Sequence, residues 1–180
     1  RCGTGLSDHE LAQGYETIKD PSVFVRFKAT SGKLAELDAS LLVWTTTPWT
    51  LVANTAVAVN PKVEYQVVEI TNEDLTERLV VASDLASVLG EDRKVLATFN
   101  GSELEHTKYS RPFDFIEIEN AHYVVLADYV TVEDGTGLVH QAPAFGADDL
   151  EVCRKYNLPV ANPIEPDGHF KKEVALVGGV

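Results

Sequence analysis

Eight residues combine four threonine hydroxyls with two indole rings and a proline: Trp44-Thr45-Thr46-Thr47-Pro48-Trp49-Thr50-Leu51. Side chains alternate between the two faces of an extended chain, so Thr45 and Thr47 are predicted to point one way and Thr46 the other. Pro48 has no N–H for a sheet ladder, so regular pairing should stop there and leave the hydroxyls at a strand end. Loops at strand ends often carry chemistry, and the segment is predicted to form a wall of a small polar pocket. The alternative is an edge strand rich in β-branched residues.

A second stretch adds an imidazole and two carboxylates: residues 135–150 read Gly-Thr-Gly-Leu-Val-His-Gln-Ala-Pro-Ala-Phe-Gly-Ala-Asp-Asp-Leu. A glycine-rich turn leads into a short strand that ends at His140, and a loop of small residues then leads to Asp148 and Asp149. Apolar residues at helical spacing follow, so both aspartates are expected at the start of a helix, where the dipole and free N–H groups favour anions. An N-cap or a solvated first-turn position suffices for Asp148, whereas Asp149 is a candidate functional carboxylate.

Together the two stretches resemble the editing domain, also called the first connective-peptide domain, of isoleucyl-tRNA synthetases, which are class I aminoacyl-tRNA synthetases. Residues 44–51 with Asn54 match its threonine-rich segment, and residues 135–149 match its second motif. The related valyl and leucyl enzymes carry Thr-Thr-Arg-Pro in the first segment and lack the histidine of the second. Thr47 and His140 are both present here. The resemblance is therefore to the isoleucyl branch, and it extends over about residues 1–170.

The resemblance implies hydrolytic editing of misactivated valine: deacylation of valyl-tRNA(Ile), and of valyl-adenylate, by a domain of an ATP-dependent isoleucine–tRNA ligase. Isoleucine and valine differ by one methylene, which gives only ~1–3 kcal/mol of discrimination in an apolar pocket, a limit for which the isoleucyl enzyme is itself the usual example. A second, smaller site that admits valine and hydrolyses its ester removes the errors. Two alternatives stay open: an editing domain of the valyl or leucyl enzyme, and a non-catalytic module that binds the tRNA 3′ end.

Such a site needs a partner for the substrate ammonium group, a tight side-chain pocket and an oriented water. Asp149 is predicted to bind the ammonium group, because a carboxylate beside a cation forms a charge-assisted contact. His140 is implied by the resemblance to obstruct the extra methyl group of isoleucine, and general-base catalysis is its alternative role. The predicted catalytic residues are Thr45, Thr46, Thr47 and Asp149. The predicted substrate-binding residues are His140, Trp49, Asn54 and Trp44, with core packing as the alternative for Trp49.

Composition limits the partners of the chain. Its 180 residues carry 15 basic and 28 acidic side chains, a net charge of −13, so an extended basic face for nucleic acid is not expected. Contact is therefore predicted only with the 3′ end of charged tRNA(Ile) and its valine moiety, while the rest of the parent synthetase holds the tRNA. No apolar run is long enough to span a membrane. The usage of two widely separated cysteines suits a reducing cytosol, and a cytoplasmic location is expected. Neither Cys2 nor Cys153 belongs to a metal-binding motif, so no metal and no cofactor are predicted.

Short strand patterns separated by turns dominate the chain. They predict an α+β, β-rich fold with a closed or partly closed β-barrel core and a few short helices. One domain is expected over residues 1–180, with residues 1–6 and 171–180 as stems to the parent enzyme. The predicted strands cover residues 23–28, 54–60, 63–70, 77–82, 95–99, 116–118, 123–127 and 138–140, with 129–133 as a further candidate.

Overall fold

A computed structural model describes residues 5, 7–17, 19, 21–72 and 75–179. Over these residues the strands are Val23–Ala29 (β1), Ser40–Thr45 (β2), Ala56–Val59 (β3), Glu64–Asn72 (β4), Leu75–Ala82 (β5), Arg93–Asn100 (β6), Tyr109–Ser110 (β7), Tyr123–Leu126 (β8) and Leu138–Gln141 (β9). The α-helices are Asp8–Ala12 (α1), Gly32–Glu36 (α2) and Ala147–Lys155 (α3). Three 3₁₀ helices span Pro48–Ala53, Ser83–Leu89 and Gly101–Leu104.

Six strands form a mixed sheet in the order β6-β4-β5-β2-β1-β7. β1 and β2 pair antiparallel, with Val23 opposite Thr45 at the end of β2. The threonine segment therefore continues from the point where the pairing of β2 ends. β2 and β5 run parallel. The inward side chains of these strands, including Phe27, Leu41 and Tyr65, are fully buried in the main hydrophobic core.

A smaller sheet has the order β8-β3-β9 and holds the histidine. All four residues of its central strand β3 are buried, as a strand covered on both faces requires. β9 runs antiparallel to β3 and places His140 opposite Val57. β8 runs parallel to β3 on the other side. The face of this sheet packs on α3 through Val152 and Cys153, so Cys153 is a small buried core residue.

The prediction of a β-rich α+β fold with short helices is confirmed, but the predicted barrel is wrong. Among the described residues neither sheet closes on itself, and β6 and β7 remain edges of the larger sheet. A barrel needs a continuous ladder around its circumference. β7 is only two residues long, and its link to the smaller sheet is an isolated bridge from the adjacent Lys108 to Tyr123 with a few backbone hydrogen bonds beside it, such as that from Tyr109 N–H to the carbonyl of His122 at 3.1 Å.

Two predicted strands are absent from the described part of the chain, and in each of these segments one carbonyl group accepts from a side chain. The guanidinium of Arg111 donates to the carbonyl of Ile116, in the segment predicted as strand 116–118. Asn60 Nδ2 donates to the carbonyl of Val130 at 2.9 Å, in the segment 129–133. Of the predicted stems, residues 1–4, 6 and 180 lie outside the described residues, and the stem role stays a prediction.

Candidate active site

A cavity of about 320 Å³ lies where the ends of β2 and β9 meet. One side is residues 44–50, from the end of β2 into the following 3₁₀ helix; we call it the threonine wall. The other side is residues 139–149, from β9 through a loop into α3; we call it the aspartate wall. The cavity is lined by Trp44, Thr45, Thr47, Trp49, Thr50, Val139, His140, Ala142, Phe145 and Asp149.

The threonine wall takes its shape from the end of β2 at Thr45 and the start of a 3₁₀ helix at Pro48. The N–H of Thr47 donates to Thr45 Oγ1 at 3.1 Å, and the two hydroxyl oxygens lie 3.3 Å apart on the same side. Thr46 is exposed and is not among the lining residues. The alternation expected for an extended chain is therefore confirmed, whereas regular pairing ends at Thr45, three residues before the predicted stop at Pro48.

Both tryptophans of the threonine wall line the cavity, one exposed and one partly buried. Trp49 is 49% exposed and meets Phe145 edge to face, with ring centroids 4.9 Å apart. This exposure is not that of a core residue, so the alternative interpretation of Trp49 as core packing is wrong. Trp44 lines the cavity from a partly buried position.

The glycine-rich turn before β9 joins the two walls. Gly135 and Gly137 both have φ of +74°, a conformation that residues with a Cβ rarely adopt. A Cβ on Gly135 would lie 2.9 Å from the indole of Trp44, and a Cβ on Gly137 would lie 2.5 Å from the Cβ of Ala82. The turn predicted from these glycines is confirmed, and it packs directly against the threonine wall.

Asp149 is held in the first turn of α3 with its carboxylate directed at the loop and the cavity. The N–H of Ala142 donates to Asp149 Oδ2 at 2.8 Å. Burial raises the pKa of the Asp149 carboxyl, against hydrogen bonds from Ala142 and Tyr129 that lower it. Within the described residues no Lys, Arg or His nitrogen forms an ion pair with Asp149. A partly buried carboxylate without a cationic partner is suited to a cationic ligand.

His140 is 8% exposed and is held through both ring nitrogens. Its Nε2 lies 2.7 Å from the Thr50 hydroxyl, and its Nδ1 lies 3.2 Å from Asn54 Nδ2. Asn54 is fully buried and lies behind the ring, so it supports His140 and does not line the cavity. Burial lowers the pKa of His140 from 6.5 to about 4. The imidazole is therefore neutral at physiological pH.

The hydrogen-bond partners determine which nitrogen of His140 carries the proton. An amide Nδ2 can only donate, so Nδ1 of the neutral ring accepts from Asn54. The proton is therefore on Nε2. The Thr50 hydroxyl donates to the carbonyl of Thr47 at 2.8 Å, so its oxygen is free to accept from Nε2. Both ring nitrogens are engaged, and no lone pair is left for a substrate proton.

The sequence reasoning missed three residues that take part in this arrangement. The spacing of Thr50 from Thr47 could have indicated it, because residues three apart lie above one another on a 3₁₀ helix. Thr50 therefore lies beneath Thr47. Tyr129 reaches Asp149 from a turn, and Tyr109 donates to Asn54 Oδ1 at 2.7 Å from β7. Neither tyrosine carries a local signal, because both contacts depend on the tertiary fold.

Two further findings concern the described residues only. No group of three or more His, Cys, Asp and Glu side chains there is arranged to hold a metal ion. None of the helices there has the length and apolar character that crossing a membrane requires. The predictions of no metal and no cofactor stay predictions.

The sequence model of the family described as leucyl-tRNA synthetase, editing domain, matches residues 25–177, which include both walls of the cavity. The chain belongs to this editing-domain family. Its curated relatives include the isoleucine–tRNA ligase of Streptomyces coelicolor, 63% identical over 100% of this chain, and that of Thermobifida fusca, 62% identical over 99%. The chain spans 17% of the length of each. The resemblance to the isoleucyl branch is thus confirmed.

Solved structures share the fold of this editing domain. The crystal structure of GlLeuRS-CP1 aligns with a TM-score of 0.61 and 19% identity, over 80% of this chain and 70% of that one. The P. knowlesi cytosolic leucyl-tRNA synthetase editing domain aligns with a TM-score of 0.60 and 14% identity, over 76% and 62%. At these identities the comparison concerns the fold alone, and it agrees with the mixed, sheet-rich architecture.

Proposed function

We propose that this editing domain hydrolyses the ester bond of valyl-tRNA(Ile), and the bond to valine in valyl-adenylate, as part of an isoleucine–tRNA ligase. The observation that carries the proposal is the shared cavity: threonine hydroxyls on one side face an unpaired carboxylate and a fixed imidazole on the other. The cavity combines a cation partner, a shaped side-chain pocket and hydroxyl groups for water, which are the parts that aminoacyl-ester hydrolysis needs.

Asp149 binds the α-ammonium group of the amino acid in this proposal. Its carboxylate faces the cavity and has no cationic partner among the described side chains, while Ala142 fixes one of its oxygens. A charge-assisted hydrogen bond to a bound ammonium group would offset the cost of burying the carboxylate. This contact orients the ester carbonyl toward the threonine wall.

His140 limits the length of the side chain that fits. The ring cannot turn away without breaking hydrogen bonds to Thr50 and Asn54, so it acts as a rigid stop. Forcing one extra methylene against a rigid wall costs about 1–3 kcal/mol. With both nitrogens engaged and a pKa of about 4, the imidazole has no role as general base in this mechanism.

The threonine hydroxyls orient the attacking water and the ester carbonyl. Thr45 and Thr47 line the cavity with their oxygens 3.3 Å apart, which suits a shared water. Thr46 is exposed between them, so its hydroxyl is available to the part of the substrate that stays outside the cavity. An aminoacyl ester is already activated, and orientation alone can supply a large part of the rate enhancement.

The indoles and the charge of the domain define how the rest of the substrate approaches. Trp44 shapes the inside of the cavity, and Trp49 offers an exposed aromatic face at its mouth. The net charge of −13 disfavours a long phosphate-binding surface, so the domain contacts the tRNA 3′ end and the parent synthetase holds the remainder. We infer no cofactor, and a cytoplasmic location together with the parent enzyme.

Deacylation assays with this chain test the proposal. tRNA(Ile) charged with valine, isoleucine or threonine is incubated with the chain, and release of the amino acid is followed. Valyl-tRNA(Ile) is expected to be hydrolysed and isoleucyl-tRNA(Ile) to be spared. Preference for the threonyl ester would instead favour a valyl-type editing domain. Binding of the 3′ end without turnover would favour a non-catalytic module.

A further inference from the structure

We propose that Tyr109, which does not line the cavity, is a positioning residue: through Asn54 it fixes the proton and the orientation of His140, and thereby the rejection of isoleucine. This inference rests on the proposed function. Tyr109 is 4% exposed, and its ring packs edge to face on Phe27 with centroids 5.2 Å apart. Its hydroxyl donates to Asn54 Oδ1 at 2.7 Å.

The Tyr109 hydroxyl and the Ala56 carbonyl together determine how the amide of Asn54 is oriented. Burial raises the pKa of the Tyr109 hydroxyl well above its ordinary value, so it keeps its proton and acts as a donor. Asn54 Oδ1 is the acceptor of this hydroxyl, so the amide oxygen faces Tyr109. The amide nitrogen consequently faces the carbonyl of Ala56 at 2.8 Å and Nδ1 of His140 at 3.2 Å. A flipped amide would set two acceptors against each other at Ala56, and the Tyr109 hydroxyl could then only accept from it, so the hydroxyl hydrogen would lose its acceptor.

The orientation of Asn54 then propagates to the threonine wall. Because Asn54 presents N–H to Nδ1, His140 carries its proton on Nε2 and donates to Thr50, and Thr50 donates to the carbonyl of Thr47. Every donor in this series has an acceptor, and the series runs from β7 to the wall of the cavity. The backbone of Asn54 is held in addition by the His122 ring, whose Nε2 lies 3.2 Å from the Asn54 carbonyl.

Replacing Tyr109 with phenylalanine keeps the ring against Phe27 and removes only the donor. Asn54 Oδ1 then loses its buried partner, and the amide is held in its orientation only from the side of the Ala56 carbonyl. His140 is expected to sample the form protonated on Nδ1 and to move more freely. The His140 ring then excludes the isoleucine methyl group less strictly. The contacts of valine with Asp149 and the threonine hydroxyls are unchanged.

The test compares Tyr109→Phe with Tyr65→Phe. Tyr65 is also fully buried, and its hydroxyl donates to the carbonyl of Gly137 at 2.8 Å, but it makes no contact with Asn54. The Tyr65 hydroxyl also accepts from the N–H of Asn60 at 2.9 Å, so this control removes a buried hydroxyl with at least as many hydrogen bonds as that of Tyr109. The readouts are the ratio of kcat/KM for valyl-tRNA(Ile) to that for isoleucyl-tRNA(Ile), and the nitrogen-15 NMR shifts of the His140 ring, which report the tautomer.

Tyr109→Phe is expected to lower the valyl-to-isoleucyl ratio about tenfold, the fold-change that corresponds to losing roughly one buried hydrogen bond. The fall should come from faster isoleucyl hydrolysis, and the NMR shifts should move toward those of a tautomer mixture. Tyr65→Phe should change neither readout. An unchanged ratio with His140 still protonated on Nε2, or equal changes in both variants, would overturn the inference. The NMR readout needs no turnover, so it tests the link to Tyr109 even if valyl-tRNA(Ile) is not a substrate.

Discussion

The Asp149 carboxylate occupies the space that a side chain at Gly146 would fill. A Cβ added to Gly146 would lie 2.8 Å from Asp149 Cγ and 3.0 Å from both carboxylate oxygens. Real Cβ atoms are essentially never found this close to such a group, so the carboxylate would have to move. Gly146 has φ of −132° and ψ of 135°, which any residue adopts, so the need for glycine arises from the side chain of Asp149 and not from the backbone.

Gly146 is the N-cap of α3. Gly146→Ala is therefore expected to lower deacylation of valyl-tRNA(Ile) at least tenfold while costing about 1 kcal/mol of stability, the typical cost of alanine at an N-cap. The displaced carboxylate is no longer positioned to bind the substrate ammonium group. Steady-state kinetics and thermal unfolding measure the two effects. In an Asp149→Asn background the same substitution should cause no further loss, because the two changes act on one group. Additive losses would contradict this explanation.

Asp149→Ala is expected to abolish deacylation, because the ammonium group of the substrate loses its only proposed anionic partner. The neighbouring Asp148 provides a matched control: it is exposed in the same helical turn and does not line the cavity. Asp148→Ala should therefore keep nearly full activity. Single-turnover deacylation of valyl-tRNA(Ile) by the two variants decides the point. Activity retained in Asp149→Ala would remove Asp149 from the proposed site.

The chemistry of the two walls could be predicted from sequence because it depends on local patterns. Alternation along an extended chain placed Thr45 and Thr47 on one face, and the apolar residues at helical spacing from Leu150 onward placed Asp149 at the start of a helix. That the two walls meet depends on the pairing of β3 with β9 and on the packing of Gly135 against Trp44. For this step the family resemblance was the only guide that the sequence offered.

The sequence could not predict the support behind the walls. Tyr109 is 55 residues away from Asn54 in the chain, and its hydroxyl meets the amide only because β7 pairs with β1. The barrel was predicted wrongly for a related reason. Strand patterns indicate which segments are extended, but not whether the last strand of a sheet, here the two-residue β7, continues the ladder into the next sheet.

His140→Ala is expected to allow hydrolysis of correctly charged isoleucyl-tRNA(Ile), since the rigid stop against the extra methyl group is removed. The loss of discrimination should correspond to about 1–3 kcal/mol, or roughly 10- to 200-fold in the ratio of the two kcat/KM values. Valyl-tRNA(Ile) should remain a substrate because Asp149 and the threonine hydroxyls are retained. If the variant still spares isoleucyl-tRNA(Ile), His140 is not the residue that excludes isoleucine.

The buried, neutral state of His140 also predicts how stability depends on pH. The pKa of His140 is lowered from 6.5 to about 4 in the folded protein, so between these values the unfolded chain binds a proton that the folded chain does not. The stabilisation is complete above pH 6.5 and is lost as the pH falls toward 4, by up to about 3 kcal/mol for this one group.

Chemical unfolding at a series of pH values measures the slope of the free energy of unfolding against pH. His140→Gln should reduce the slope of the free energy of unfolding against pH between pH 6.5 and 4. The pKa of His122 is also lowered, by burial and by Arg111, but His122 is present in both proteins and its contribution cancels in the comparison. Equal slopes in the two proteins would mean that His140 is protonated, or solvent-accessible, in the folded state.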